Sequence, residues 1–416
     1  MGAGEFRIGD YMKQLVLWLV ALMFFVSLSA QTAIAPSEGD GSSSYPYRIA
    51  SLENLCWIAQ NPATWSSHFR QTADIDASQT ATWYPNGSDA YYGRSPIGVP
   101  GNGFSGVYIG DGFHISGLYI NRPTTDNQGL FGYCNGAAIS DLFLVDSYVK
   151  GQTFTGGLAG ELTNGSEITN CGYDGIVHAT WQHSGGLVGY LNGGTMNYCS
   201  SSGNVNGSSW VGGLAGSTLN GAVVSNCYSR ASVSGNGRVG GLIGNSTNDT
   251  VSNSYSAGLV IGFSFTGGLI GEKSSGITSN CFWDVQTSLQ ATSSGDGATG
   301  LTTAAMTTQS TFTDAGWNFL NVWATEAETN DGYPYLIWGQ IIAPPNPPEN
   351  VAIIQTGDDV QISWDEVIGA TSYKIYSCSD PYGVFEADLS GTFDGTNWTA
   401  PSPDTRRFYD VRAVAE

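Results

Sequence analysis

Gly185-Gly-Leu-Val-Gly189, Gly212-Gly-Leu-Ala-Gly216 and Gly240-Gly-Leu-Ile-Gly244 are three of six near-copies of one phrase. The others read Gln-Gly-Leu-Phe-Gly over 128–132, Gly-Gly-Leu-Ala-Gly over 156–160 and Gly-Gly-Leu-Ile-Gly over 267–271. Their leucines, Leu130, Leu158, Leu187, Leu214, Leu242 and Leu269, are spaced by 28, 29, 27, 28 and 27 residues. A period that steady means one supersecondary unit stacked on itself.

Other positions keep step with the leucines. Val149, Val177, Val205, Val233 and Val260 form a second apolar column. Ile139, Ile168, Met196, Val224, Val251 and Ile277 form a third, and Cys171, Cys199, Cys227, Ser254 and Cys281 a fourth. Stretches such as Val224 to Val233 alternate apolar and polar residues, which argues strand, and no window sustains a helical period. Gly, Asn and Ser between them supply turns. Stacked units of this kind place equivalent strands side by side, about 4.8 Å apart. The expected fold is all-β: a right-handed parallel β-helix solenoid with end caps, followed by a small β-sandwich. Most repeating columns are explained by packing and tight corners, because a solenoid core is built by repetition.

The chain has 416 residues, room for two or three domains. Residues 1–35 read as an extension and export signal, with Met12-Lys13 as charged start, Leu15 to Val26 as apolar run and Ser27 to Ala30 as small-residue exit. Residues 36–110 read as the N-terminal cap and first strands. Within them Ser51 to Asn61 has the spacing of a short amphipathic helix. Residues 77–102, with Trp83, Tyr84, Tyr91 and Tyr92, read as a long insertion. Rungs fill 111–283. Residues 284–342 lose the period and read as the closing cap, their aromatics sealing the last rung. Residues 343–348 are a Pro-rich linker, and 349–416 alternate as a small β-sandwich with Trp364 and Tyr409 as core anchors.

Fourteen Lys plus Arg against 35 Asp plus Glu give a net charge of −21. That excludes a nucleic-acid partner, which needs a basic face, and disfavours polyanions. It suits a soluble, monomeric exterior. Seven cysteines in an exported chain raise the question of disulfides. Three of them stacked in one column cannot all pair, so an inward cysteine ladder acting as apolar filler is expected. The mature chain is expected to carry no transmembrane helix.

The Gly-Gly-Leu-X-Gly phrase, the Asn226-Cys-Tyr228 and Asn253-Ser-Tyr255 steps after it and the 27–29 spacing resemble the GLUG-motif repeats of bacterial exported proteins. The resemblance covers roughly 47–338, including Phe104 to Asn121 and Ala305 to Leu336. The last domain resembles a fibronectin type III module, and its pattern stops short of a final strand. The resemblance implies a secreted or surface-attached, often adhesin-like protein. It is specific for family and not for activity.

Catalytic signatures are sparse. No His-Glu-x-x-His or Gly-x-Ser-x-Gly occurs, and no Cys/His cluster has zinc spacing. No cofactor is implied, and any structural divalent cation is unassigned. A polysaccharide hydrolase needs facing carboxylates. The best pair is Asp146 and Asp174, 28 residues apart and expected on adjacent rungs, where they would raise one another's pKa. A lyase would want clustered Lys or Arg, and Lys150, Arg230, Arg238 and Lys273 are scattered. His178 and His183 flank Trp181 on one rung. Phe154, Trp181, Trp210, Phe263 and Phe265 all fall in the segment before a glycine phrase, where a row of exposed aromatics would stack on sugar rings. The primary expectation is therefore an adhesin-like binder of glycan or a surface protein. The alternative is a polysaccharide hydrolase or lyase on the same scaffold.

Overall fold

The computed structural model describes residues 32–84, 91–337, 348, 350–367, 372–379, 386–402 and 407–414. Residues 1–31 of the stretch read as an export signal and most of the Pro-rich linker lie outside these residues. The chain divides into two compact units, residues 1–339 and 340–416.

The first unit is a parallel β-helix with three walls. Wall A stacks nine short strands, from Tyr47–Ile49 through Ala138–Ser140 and Thr195–Asn197 to Gly276–Ser279. Wall B stacks six, from Phe131–Asn135 to Ile270–Lys273, each opening at the fourth residue of a glycine phrase. Wall C carries the remainder, including the long strands Phe143–Gly156 and Gly172–Gly185. The repeat columns become in-register ladders: Val149, Val177, Val205, Val233 and Val260 pair in sequence. All six leucines are fully buried in one continuous core.

The corners explain the Asn-Cys step. Asn170, Tyr198, Asn226, Asn253 and Asn280 take left-handed φ of 54°, 53°, 50°, 46° and 51° between walls A and C. Asn tolerates this region better than most residues. The side chain that follows turns back and donates to the carbonyl two residues earlier. Cys171, Cys199, Cys227 and Cys281 bond Thr169, Asn197, Ser225 and Ser279 at 3.1–3.3 Å, and Ser254 bonds Ser252 at 2.7 Å. The column therefore needs a small donor, and none of the seven cysteines is in a disulfide. Asn side chains bridge neighbouring corners, as from Asn226 to Asn197 at 3.1 Å.

Four details differ from the sequence reading. Wall A begins already at Tyr47–Ile49, paired with His68–Gln71, ahead of 73–76 and 104–121, which the sequence alone marks as the first strands of the coil. The segment read as an insertion supplies part of the first rung: its Ile97 is buried and bridges in parallel to Phe131, as Phe104 just beyond the segment does to Cys134. Ile277 leaves its column, because Val251 pairs with Thr278 and Ile277 with Thr250. A slip of one residue turns a strand side chain to the opposite face, and Ile277 is 61% exposed. Finally, the segment read as a single cap splits in two. Trp283, Val285 and Ala298 extend the core at the last rung. Residues 302–337 form a strap on the outside of wall C, where Phe312, Trp317, Trp323 and Tyr333 pack on the outward Tyr228, Tyr255 and Phe282. Asp284 anchors the strap by accepting from Tyr333 Oη at 2.6 Å.

At the other end the helix Leu52–Gln60 is capped by Ser51 and buries Leu52, Leu55, Cys56 and Ile58 in the solenoid core.

The second unit is two antiparallel sheets. One orders Ala352–Thr356, Asp359–Ser363, Asn397–Pro401 and Thr392–Asp394. The other orders Glu386–Ala387, Ser372–Cys378 and Phe408–Val414. Val360, Ile362, Trp364, Ile375, Trp398 and Val411 form its core, with Tyr409 partly buried against Trp398. Trp398, fully buried, is a core anchor the sequence reading did not name.

Candidate binding surface

The corner where wall C runs into each glycine phrase carries most of the aromatic candidates. Phe154, His183, Trp210, Arg238 and Phe265 each stand four residues before a repeat leucine. Each takes a left-handed φ, between 50° and 56°. One conformation repeated at one offset aims the side chains along the solenoid axis in a single file. Phe154 stacks on His183 at 4.9 Å and His183 on Trp210 at 4.6 Å, with interplanar angles of 26° and 11°. The Arg238 guanidinium continues the file, 5.3 Å from Trp210 and 5.2 Å from Phe265.

The outward column of wall B buttresses this stack. Tyr190 meets Phe154 and His183 edge-on at 5.0 and 5.1 Å. His183 Nδ1 and Ser217 Oγ are 2.8 Å apart, and Arg238 pairs with Glu272. Such aromatic pairs are worth about 0.5–1.5 kcal/mol each beyond their buried area. Burial pushes His183 down to about 4, so it is neutral at physiological pH. Burial also raises the Glu161 carboxyl, against an opposing hydrogen bond from Asn127.

This geometry sorts the aromatic candidates. Phe154 and Trp210 are half-buried and have rings or a guanidinium against their faces. They work as corner packing. Phe265 closes the file and is 57% exposed, while Trp181 and Phe263, outside the file, are 55% and 88% exposed. Trp181 and Phe263 share a different offset, six residues before their leucines. The members sequence reasoning missed are His183 and Arg238 as parts of the stack. Their signal was the constant four-residue offset, which a search for aromatics alone passes over.

Asp146 and Asp174 are both exposed on wall C. Tyr173 pairs with Leu144 and Gly175 with Ser147, so Val145 and Asp146 together oppose Asp174 in a β-bulge. Asp146 takes the left-handed φ of the bulge, 51°, and Asp174 accepts from Ser202 Oγ at 2.8 Å. The remaining rung carboxylates are dispersed. Glu161 and Glu272 lie on wall B and Glu167 on wall A. Asp141 bonds Asn170 at a corner, and Asp249 is buried at another, accepting from the Ala222 and Thr247 amides at 3.2 and 3.0 Å. His178 is held below its ordinary range by burial and then by Lys150. Among the described residues no group of three or more His, Cys, Asp or Glu is placed to hold a metal ion. No helix among them is long and apolar enough to cross a membrane.

Comparison with known proteins gives partial likenesses. The chain is 36% identical over 158 residues to halomucin of Haloquadratum walsbyi, covering 37% of this chain and 2% of that protein. It is 33% identical over 112 residues to a protein of Evansella cellulosilytica named as a Gly-rich membrane protein, covering 27% of this chain and 12% of the other. The chain thus spans a small part of both relatives. No family model matches it, and no solved structure matches it significantly.

Proposed function

We propose that this chain is a secreted or cell-surface protein whose solenoid binds glycan or protein ligands on its flank and does not transform them. The observation that carries this reading is the contrast on the outer surface. Apart from Asp146 beside Asp174 in the wall C bulge, the rung carboxylates stand on different walls and corners, and several, Asp174 included, are already held by Asn, Ser or Arg partners. The exposed aromatics Trp181, Phe263 and Phe265 instead lie in the segments that lead into the glycine phrases. Acid–base hydrolysis of a glycoside needs two carboxyl groups about 5–9.5 Å apart across the scissile bond, whereas binding needs only fixed ring faces and hydrogen-bonding rims. The resemblance to GLUG-motif exported proteins and the names of the two relatives, a halomucin and a membrane protein, agree with a surface location.

The polysaccharide-active alternative rests on Asp146 in its bulge beside Asp174. Co-sedimentation of the full chain with insoluble polysaccharides and with intact bacterial cells tests the binding reading. Retention on one of them is the expected result. A chain that stays in the supernatant throughout contradicts it.

A further inference from the structure

We propose that Trp181, Ser208, Asn236 and Phe263 form the binding site for a neutral linear polysaccharide lying along the solenoid axis. The inference rests on the surface-binding reading above and names its ligand class. All four residues stand six before a repeat leucine. The backbone ladder links them: the Ser208 amide donates to the Trp181 carbonyl at 3.1 Å, the Asn236 amide to Ser208 at 2.8 Å, and the Ser264 amide to Asn236 at 3.2 Å. They therefore occupy four successive rungs. Trp181, Asn236 and Phe263 are exposed, and Ser208 is half-buried.

The column thus alternates function along its length: a ring, a hydroxyl, an amide and a second ring. The two rings lie three rungs apart, or ~14 Å at the usual strand spacing. That span suits an oligosaccharide and exceeds a single sugar. An exposed ring takes the C–H face of a sugar, and the Ser and Asn between the rings match its hydroxyls. Unlike Phe154 and Trp210, these two rings are outside the stacked file. The axis of the column is straight because its rungs are in register, which favours an unbranched chain. None of the four residues carries a charge, and the chain's net charge of −21 repels a polyanion.

Affinity electrophoresis of the full chain through gels holding hydroxyethylcellulose, glucomannan, xylan, mixed-linkage β-glucan or alginate tests this. The expected result is retardation by at least one neutral polymer and none by alginate. Trp181→Ala and Phe263→Ala should each weaken that interaction about tenfold, the order expected for one lost ring contact. The double variant should migrate as in an empty gel, with an unchanged melting temperature because both side chains are exposed. A double variant retarded like the parent overturns this site and leaves the surface-binding reading standing. Retardation by alginate alone, or by no polymer, overturns the neutral-glycan assignment. Retention on cells or protein in the co-sedimentation experiment would then still uphold the broader reading.

Discussion

At the scale of single residues, the second glycine of each phrase is fixed by what passes over it. A Cβ on Gly157 would enter the Tyr173 ring, and one on Gly268 the Trp283 ring. Gly165 is different: it has open space around it and a φ of 74°. Gly157→Ala and Gly268→Ala should each cost about 1–3 kcal/mol in urea unfolding by overpacking. Gly165→Ala should cost only ~1 kcal/mol, from its left-handed backbone. Equal costs at all three would contradict the packing account. His183 supplies a pH-dependent test. Its folded pKa, about 4, lies below the ordinary 6.5, so the unfolded chain binds the proton first. Its contribution is complete above pH 6.5 and is lost as pH falls toward 4, by up to about 3 kcal/mol. Glu161, raised by burial, favours the folded state in the opposite direction, so the comparison must be with His183→Phe. Wild type should lose stability relative to that variant between pH 6.5 and 4; a constant gap would remove the stack from the account.

Corners and straps set the element scale. The cysteine column is defined by back-donation to a carbonyl, and burial pushes the Cys171, Cys199 and Cys281 thiols up, Cys281 to about 12. In the native chain, Ellman's reagent should label Cys378, the one cysteine not buried, and reach the other six only on unfolding. Fast labelling of Cys199 or Cys227 would show that the ladder is open. Asp284 caps the short helix Val285–Ser288 through the Gln286 and Thr287 amides at 2.7 and 3.1 Å and holds the strap through Tyr333, whose hydroxyl is pushed up to about 12 by burial and then by Asp284. Asp284→Ala should release residues 302–337 to proteolysis at a cost of about 2–4 kcal/mol; a strap that stays protected would place its anchor elsewhere, with Arg230 the next candidate. The rung architecture was legible because identical residues recur at one spacing. Ile277 and the strap were not. A register slip leaves the local alternation intact, and an apolar segment without a period does not state which side of a wall it covers.

For the whole molecule, repetition made the fold readable and left the activity nearly silent. Every turn reuses the same inward positions, so function must be sought where outward residues break the pattern. The aromatics were visible as residue types, yet their roles separate only by offset: those at four residues before the leucine stack on one another, and those at six face solvent. The same geometry leaves Asp146 and Asp174 as an exposed pair at a bulge. The central claim is binding without bond cleavage. Its most direct test incubates the full chain with neutral and acidic polysaccharides and records bound protein and new reducing ends in the same tubes. Retention on a neutral polymer with no new reducing ends is the result this account requires. Reducing-end release that disappears in Asp174→Asn would contradict it and make the solenoid a polysaccharide-cleaving enzyme.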